Sequence, residues 1–409
     1  MKGIRVSKTL PGPRTKKIVD QINRLCVKST FPYPMAVVDG DGCFLKDPDG
    51  NWFLDFTSFV CSAPLGYRHP AVMDILEKYC KIGAHKIAGQ DFYSEEHAHL
   101  AKKLVEITPK SIRKVFLNNS GAEAVENAIK FAYRKLGPKT GISCYGAFHG
   151  RTLGALTFTC SKPVQKKNYP QLSHERIKFC ISDDDIAIND VFNVVKEGAA
   201  FILAEVIQGE GGYNFGSNRF VKNLARAAKQ AGIPLILDEI QAGMGRTGKW
   251  WAFEHYGVVP DIMTSAKALQ VGATMSSERY APKEEGAVSS TWGGGDRIEM
   301  AVGARIIETI QKEKILLHVQ KIGDYFLKQL REIAEEHEKV PSIEGLGLML
   351  KLKLCRKKDR DRIIQEAFKE GLLLLPCGES DIRIIPPLII DRETTDLGLR
   401  VLEKIIEKV

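Results

Sequence analysis

Pro260-Asp261-Ile262-Met263-Thr264-Ser265-Ala266-Lys267 is a short apolar run of strand length that ends on a lysine. Upstream, a second apolar run from Ile233 to Leu237 ends on Asp238 and continues as Glu239-Ile240-Gln241. Two such runs, side by side in a sheet, would bring an amine and a carboxylate to the same edge. The amine can hold an aldehyde as a Schiff base, and the carboxylate can keep a pyridine nitrogen protonated. That is the chemistry a pyridoxal-phosphate site needs. An isolated lysine after a strand is ordinarily a solvated loop residue, so the rest of the chain has to support the reading.

Working outward, the pattern is strand, helix, strand. Val115 to Leu117 precedes a helical stretch with Ala122, Val125, Ile129, Ala132 and Leu136 on one face. Ile142 to Tyr145, Phe201 to Val206 and Pro234 to Leu237 are further strands, with a helix from Phe220 to Ala231 before the last of them. Apolar strands alternating with helices predict a parallel sheet covered on both faces. After about Met300 the texture changes to a long helical segment, short strands at Leu348 to Leu354, Leu372 to Leu375 and Arg383 to Ile385, and a helix from Thr394 onward. Phe44 to Phe56, broken by Pro48-Asp49-Gly50-Asn51, reads as a hairpin. The expected organisation is an arm and hairpin over residues 1–55 packed with the tail, an α/β body over 56–300, and a smaller α+β domain over 301–409.

A chain of 409 residues exceeds a single compact core. The net charge of +9 is spread among nearly as many acids, and the densest basic run, Arg356 to Arg362, is interrupted by Asp359 and Asp361. That distribution describes a solvated surface and gives no nucleic-acid footprint. No apolar run approaches the ~20 residues a membrane span needs, and no signal-type apolar region follows the basic start, so a cytoplasmic protein is expected. Nine cysteines without a C-x-x-C pair fit dispersed thiols better than a disulfide framework or a zinc site. His97 and His99 have no nearby third ligand and read as the polar face of a helix.

Four further segments follow the strands. Asn118-Asn119-Ser120-Gly121-Ala122-Glu123 provides a helix cap, Ser120 with Glu123, and free N–H groups suited to a phosphate. Tyr145-Gly146-Ala147-Phe148-His149-Gly150-Arg151 offers an aromatic to stack on a flat heterocycle and an arginine to grip a carboxylate. Glu205 and Glu210 flank a Gly-rich turn, and Ser289-Ser290-Thr291 offers hydroxyls. Each alone has a bland explanation. Together they fall at the carboxyl edge of one predicted sheet, where open α/β folds bind ligands.

In their order, Ser120-Gly121-Ala122-Glu123-Ala124, Phe148-His149-Gly150-Arg151, Glu205 to Gly212, Asp238-Glu239-Ile240-Gln241, Gly245-Arg246-Thr247-Gly248, Lys267 and Ser290-Thr291-Trp292-Gly293-Gly294 resemble the class III pyridoxal-phosphate aminotransferases. The resemblance runs through Arg383-Ile384-Ile385-Pro386-Pro387-Leu388. Within the class, Gln270-Val271, Phe56 to Val60 and Thr291-Trp292-Gly293-Gly294 are most similar to the lysine 6-aminotransferases. It implies fold type I, with a mainly parallel seven-stranded sheet and a smaller domain, and pyridoxal 5′-phosphate as cofactor. Lys267 would hold the aldehyde and shuttle the proton, Asp238 would pair with the ring nitrogen, Phe148 would stack on the ring, and Gln241 would bond its phenolic oxygen. Ser120, Gly121 and Ala122 would hold the phosphate, helped by Ser290 and Thr291 of a second subunit, which implies a homodimer.

The same resemblance makes Arg151 and Arg383 the carboxylate binders and Glu205 a further substrate-site residue. Arg151 would take the α-carboxylate of a donor presented by its distal amine. Glu210 would mask Arg383 until 2-oxoglutarate enters. Departures from the family pattern are Val206 where many relatives have proline, Ala242 where they have threonine, and Leu269-Gln270-Val271-Gly272 in place of a Gly-rich run. They bear on the substrate and leave the cofactor set untouched. The expected reaction moves the distal amine of lysine, ornithine or a similar diamino acid to 2-oxoglutarate. Acetylornithine or 4-aminobutyrate as donor, and racemisation of an amino acid on the same cofactor, are the alternatives; Pro11-Gly12-Pro13 is similar to the opening of some racemases of the family.

Overall fold

The computed structural model describes residues 3–30, 32–84, 91–196, 198–289 and 296–409. Chain contacts divide it into two units, Ala71–Leu316 and a second built from Met1–Pro70 with Leu317–Val409.

The first unit is organised on a sheet of seven strands. In chain order these are β1 (Ile112–Asn118), β2 (Thr140–Cys144), β3 (His174–Ile177), β4 (Ala199–Ala204), β5 (Leu235–Asp238), β6 (Ile262–Ser265) and β7 (Gly272–Ser277). The spatial order is β1-β7-β6-β5-β4-β2-β3. All neighbours run parallel except β7, which is antiparallel to both β1 and β6. The sheet is therefore mainly parallel, as expected for fold type I. β4 to β6 are buried along their whole length, which is why β4 and the body of β5 read as apolar runs without alternation, while β6 passes from Ile262-Met263 into Thr264 and Ser265.

Helix α1 (Gly121–Leu136) follows β1 and α2 (Asn218–Ala231) precedes β5. Ser120 caps α1 by accepting the Glu123 N–H, and the Glu123 carboxylate reaches back to accept the Asn119 N–H, one residue before the cap, at 2.6 Å. The inner face of α1 buries Val125, Ala128, Ile129, Phe131 and Ala132 against Phe158 and Phe201. Phe158 and Phe201 meet edge to face at 5.1 Å. Gly141 is required beneath them, because a β-carbon there would lie 2.4 Å from the Phe201 ring and 2.6 Å from that of Phe158.

Two strands were not legible. β3 is short and half polar, and β7 reads Gly-Ala-Thr-Met-Ser-Ser although it is buried over most of its length. Two of its hydroxyls are satisfied internally: Thr274 Oγ1 donates to the Ala124 carbonyl at 2.7 Å and Ser276 Oγ to the Ser277 carbonyl at 2.9 Å. Hydropathy cannot mark a strand whose polar groups are paid for by hydrogen bonds.

The second unit holds two four-stranded sheets. The hairpin Phe44–Lys46 and Trp52–Asp55 forms as read. Its turn residue Asp49 accepts the N–H groups of Arg14 and Thr15 at 2.9 and 2.8 Å, so the hairpin caps the N-terminal helix Pro13–Leu25. The run Leu372 to Leu375, expected as one strand, divides. Leu372–Leu373 pairs with Leu54–Asp55 in one sheet, and Leu375–Cys377 pairs with the strand Asp381–Ile384 in the other. The Tyr33 hydroxyl occupies both backbone groups of Leu374, taking that residue out of either ladder.

Replacing Gly141 by alanine should cost ~1–3 kcal/mol through overpacking. Phe201→Leu in the same chain should recover part of the loss, as read by the thermal midpoint; strictly additive losses would contradict the close approach.

Candidate active site

β5 ends on Asp238 and β6 leads to Lys267. The register pairs Asp238 with Thr264, so both strands finish level. Asp238 Oδ1 accepts from Thr264 Oγ1 and from the Ile240 N–H, each at 3.1 Å. Its Oδ2 lies 2.8 Å from His149 Nδ1, and both side chains are almost wholly buried. A carboxylate oxygen only accepts, which puts the ring proton on Nδ1. His149 is held in turn by its N–H to Thr159 Oγ1 at 3.0 Å. His149 lies within the Phe148-His149-Gly150-Arg151 motif, where no sequence pattern by itself assigns it this contact. An indirect signal was present, since a carboxylate buried at a strand end needs a donor, and His149 adjoins the predicted stacking residue.

Lys267 leaves β6 at a sharp turn. Its φ is 48°, the left-handed region that a non-glycine residue enters at a cost. Both the N–H and the side-chain amide of Gln270 donate to the Lys267 carbonyl at 2.9 Å and hold that conformation. A β-carbon on Gly121 would lie 3.0 Å from Ile240 and 3.5 Å from the Ala266 side chain. The start of α1, the loop after Asp238 and the turn bearing Lys267 thus meet at one end of the sheet.

The aromatic loop joins them. Gly150, at φ 130°, brings its backbone against Ala122, to which a β-carbon would approach within 2.8 Å. Phe148 is half-buried, and the exposed Arg151 places its guanidinium 5.9 Å from the centre of the Phe148 ring. Gln241 packs on Gly209, and its buried Oε1 has no hydrogen-bond partner.

Glu205, expected beside the substrate, has both carboxylate oxygens on backbone amides, Phe148 N–H at 3.0 Å and Gly209 N–H at 2.9 Å. It joins the aromatic loop to the Gly-rich turn. Burial, opposed by the neighbouring His149 and reinforced by Asp238, raises its pKa to about 7. Glu239 accepts the Ala252 and Phe253 N–H groups at 2.8 and 3.0 Å, and burial raises it to about 8. Glu210 is half-buried, with Lys162 Nζ 3.9 Å from its Oε2. Arg383 is buried on the strand Asp381–Ile384 of the second unit. Ser290 and Thr291 lie outside the described residues.

These groups fit pyridoxal phosphate. The first turn of α1 offers unsatisfied N–H groups with the Ser120 hydroxyl beside them, an anion-binding arrangement. Asp238 gives a buried carboxylate for a ring nitrogen, Lys267 an amine for an aldehyde, Phe148 a face for the ring, and the orphaned Gln241 amide a polar partner for a ring substituent. Among the described residues no group of His, Cys, Asp and Glu side chains is arranged to hold a metal ion. His97 and His99 lie on the helix Glu95–Ile107, and His99 pairs with Glu308 at 2.7 Å.

Residues 27–406 match the family described as aminotransferase class-III. The chain is 34% identical over 404 residues to the acetylornithine aminotransferase of Caldanaerobacter subterraneus, covering 96% of this chain and 98% of that one. It is 29% identical to the alanine/serine racemase of Pyrococcus horikoshii, covering 97% and 91%. Among solved structures it is similar to the lysine aminotransferase from M. tuberculosis in the internal aldimine form, with a TM-score of 0.87, 26% identity and coverage of 95% and 98%.

The two raised glutamates have a consequence for stability. A carboxyl whose pKa is higher in the fold than in the unfolded chain favours the fold while protonated, and that contribution is lost as pH rises through the folded value. The thermal midpoint of the apoprotein should therefore fall as pH rises from about 5 to about 8. Glu239→Gln should flatten the decline, most visibly between about 7 and about 8 where Glu205 no longer contributes; an unaltered pH profile would contradict the buried neutral carboxyl.

Proposed function

The chain belongs to the class-III aminotransferases, and we propose that within this family it transfers the distal amine of a diamino acid of the lysine, ornithine or acetylornithine type to 2-oxoglutarate. The observation that carries the substrate half of this reading is Arg151. Its guanidinium stands at the rim of the Phe148 ring, exposed and close to that face. A cation there suits a donor whose carboxylate docks at the rim while its far amine reaches Lys267. The names of the relatives above, acetylornithine and lysine aminotransferases, point to donors of that shape.

Family membership makes the enzyme dependent on pyridoxal phosphate, which when bound supplies the electron sink for breaking the C–H bond of the amine-bearing carbon. Asp238 holds a proton on the ring nitrogen, and His149 with Thr264 fixes the carboxylate that does so. Lys267 Nζ removes the proton from the amine-bearing carbon and retains it for redelivery, placed for this by the left-handed turn. Phe148 and the residues around Gln241 keep water from the ring. We assign the second carboxylate of the oxo acid to Arg383, and to Glu210 the acid that keeps a monocarboxylate donor in its proper orientation. Charge discrimination of this kind lets one site accept two unlike substrates. We further assign Ser290 and Thr291 to the phosphate of a partner subunit in a cytoplasmic homodimer.

The test is a half-reaction. Lysine, ornithine or acetylornithine, added alone to the yellow holoenzyme, should bleach its visible band, and 2-oxoglutarate should restore it. A band that persists while the optical rotation of alanine or serine decays would identify a racemase instead. Lys267→Ala should abolish turnover and the visible band; near-normal activity in that variant would remove the assignment. Glu210→Ala should lower KM for 2-oxoglutarate relative to that for the amine donor, a change corresponding to roughly 1–3 kcal/mol.

A further inference from the structure

A discriminating acid has to tolerate two situations, a donor without a second carboxylate and an acceptor with one. A like charge arriving beside Glu210 is repelled unless a cation takes up part of the acid's charge. The unit that carries Glu210 has such a cation in place. Lys162 Nζ lies 3.9 Å from Glu210 Oε2, with side-chain exposures of 47% and 19%.

The two partners lie on different segments, each tied to the loop that follows β2. The segment before Lys162 is tied to it by the Cys160 N–H, which donates to the Ala147 carbonyl. Pro163 follows Lys162 and confines it to an extended backbone, with φ −145° and ψ 126°. The Lys162 carbonyl accepts the Gln165 N–H at 3.1 Å, closing a short turn. On the other side, Gln208 Nε2 donates to the Tyr145 carbonyl at 2.7 Å. Gly211 packs so closely on Gly146 that a β-carbon would lie 2.4 Å from its carbonyl oxygen. Gly209 is held by Glu205, which also holds Phe148. The ammonium and the carboxylate are therefore set against each other by the loop that bears the stacking ring.

We propose that Lys162 is a specificity-determining residue, whose ammonium draws the Glu210 carboxylate aside and so admits the dicarboxylic oxo acid. The proposal rests on the reading of Glu210 given above. Because the pair is solvated, its contribution is modest and sensitive to salt.

The experiment compares KM values for 2-oxoglutarate and for the amine donor in four holoenzymes: wild type, Lys162→Met, Glu210→Ala and the double variant. Lys162→Met keeps most of the stem and removes the charge. It should raise KM for 2-oxoglutarate about two- to fivefold relative to that for the donor, and Lys162→Arg should restore the ratio. In the Glu210→Ala background the same change should have no effect. If the Lys162→Met effect persists undiminished there, Lys162 binds the oxo acid directly and the proposal is overturned. If Glu210→Ala shifts the ratio and Lys162→Met does not, the Lys162 assignment alone falls. Should Glu210→Ala leave the ratio unchanged, the reading of Glu210 fails and this one with it.

Discussion

A carboxylate buried at the end of a parallel sheet is tolerable only with donors around it. Asp238 has three, and the shortest contact is the 2.8 Å pair with His149. Much of the active-site end is arranged to permit that pair. β5 must finish level with β6 so that Thr264 can reach across. The loop after β2 must turn back over the sheet edge to deliver His149, and it is pinned there by Thr159 and by the tight approach of Gly150 to Ala122. The same turn sets Phe148 beside the start of α1. One buried charge thus fixes the positions of both Asp238 and Phe148, the groups we assign to the ring nitrogen and the ring face.

Three acids crowd this edge, and they are treated differently. Glu205 and Glu239 are capped by pairs of backbone N–H groups and pushed upward by burial, whereas Asp238 has an imidazole. Backbone amides can hold a carboxyl group in place without supplying full positive charge. Such an acid serves as a structural staple. Glu205 joins the aromatic loop to the Gly-rich turn, and Glu239 joins the end of β5 to the segment at Ala252. An acid bound for chemistry and an acid bound for geometry look alike in sequence, since both follow an apolar strand, and only their partners distinguish them.

That distinction marks how far the sequence could be read. The positions of Lys267, Asp238 and Ser120 were legible because each stands at or just past a strand end or at a helix start, and backbone ladders place such positions with little freedom; Phe148 lies on a loop and was read from its neighbours. β4 and β5 announced themselves because burial on both faces favours apolar runs. β7 and β3 did not, since β7 is built of small and hydroxyl residues and β3 is a short, half-exposed edge strand. The division of the run at Leu374 depends on Tyr33, more than three hundred residues away in sequence, and no local pattern carries such a contact. His149 was visible as a letter but not as a partner, because its function lies in a pairing across two strands.

The substrate side follows a different logic from the cofactor side. Apart from Arg383, which is on a strand, its groups sit on loops, and loops are positioned by tertiary contacts such as Glu205 with Phe148 and Gly209, or Gly211 with Gly146. A substitution in such a loop can change which carboxylate is welcome without disturbing the sheet beneath it. Val206 and Ala242, the departures noted beside the Gly-rich turn and after Gln241, are both buried. Neither lies on the strand that ends at Asp238 or on the one that leads to Lys267. Relatives named for acetylornithine, lysine and alanine/serine chemistry can therefore share one scaffold. The strand ends carry what these relatives share, and the loops above them, where Glu210 and Lys162 stand, are where we place the discrimination between substrates.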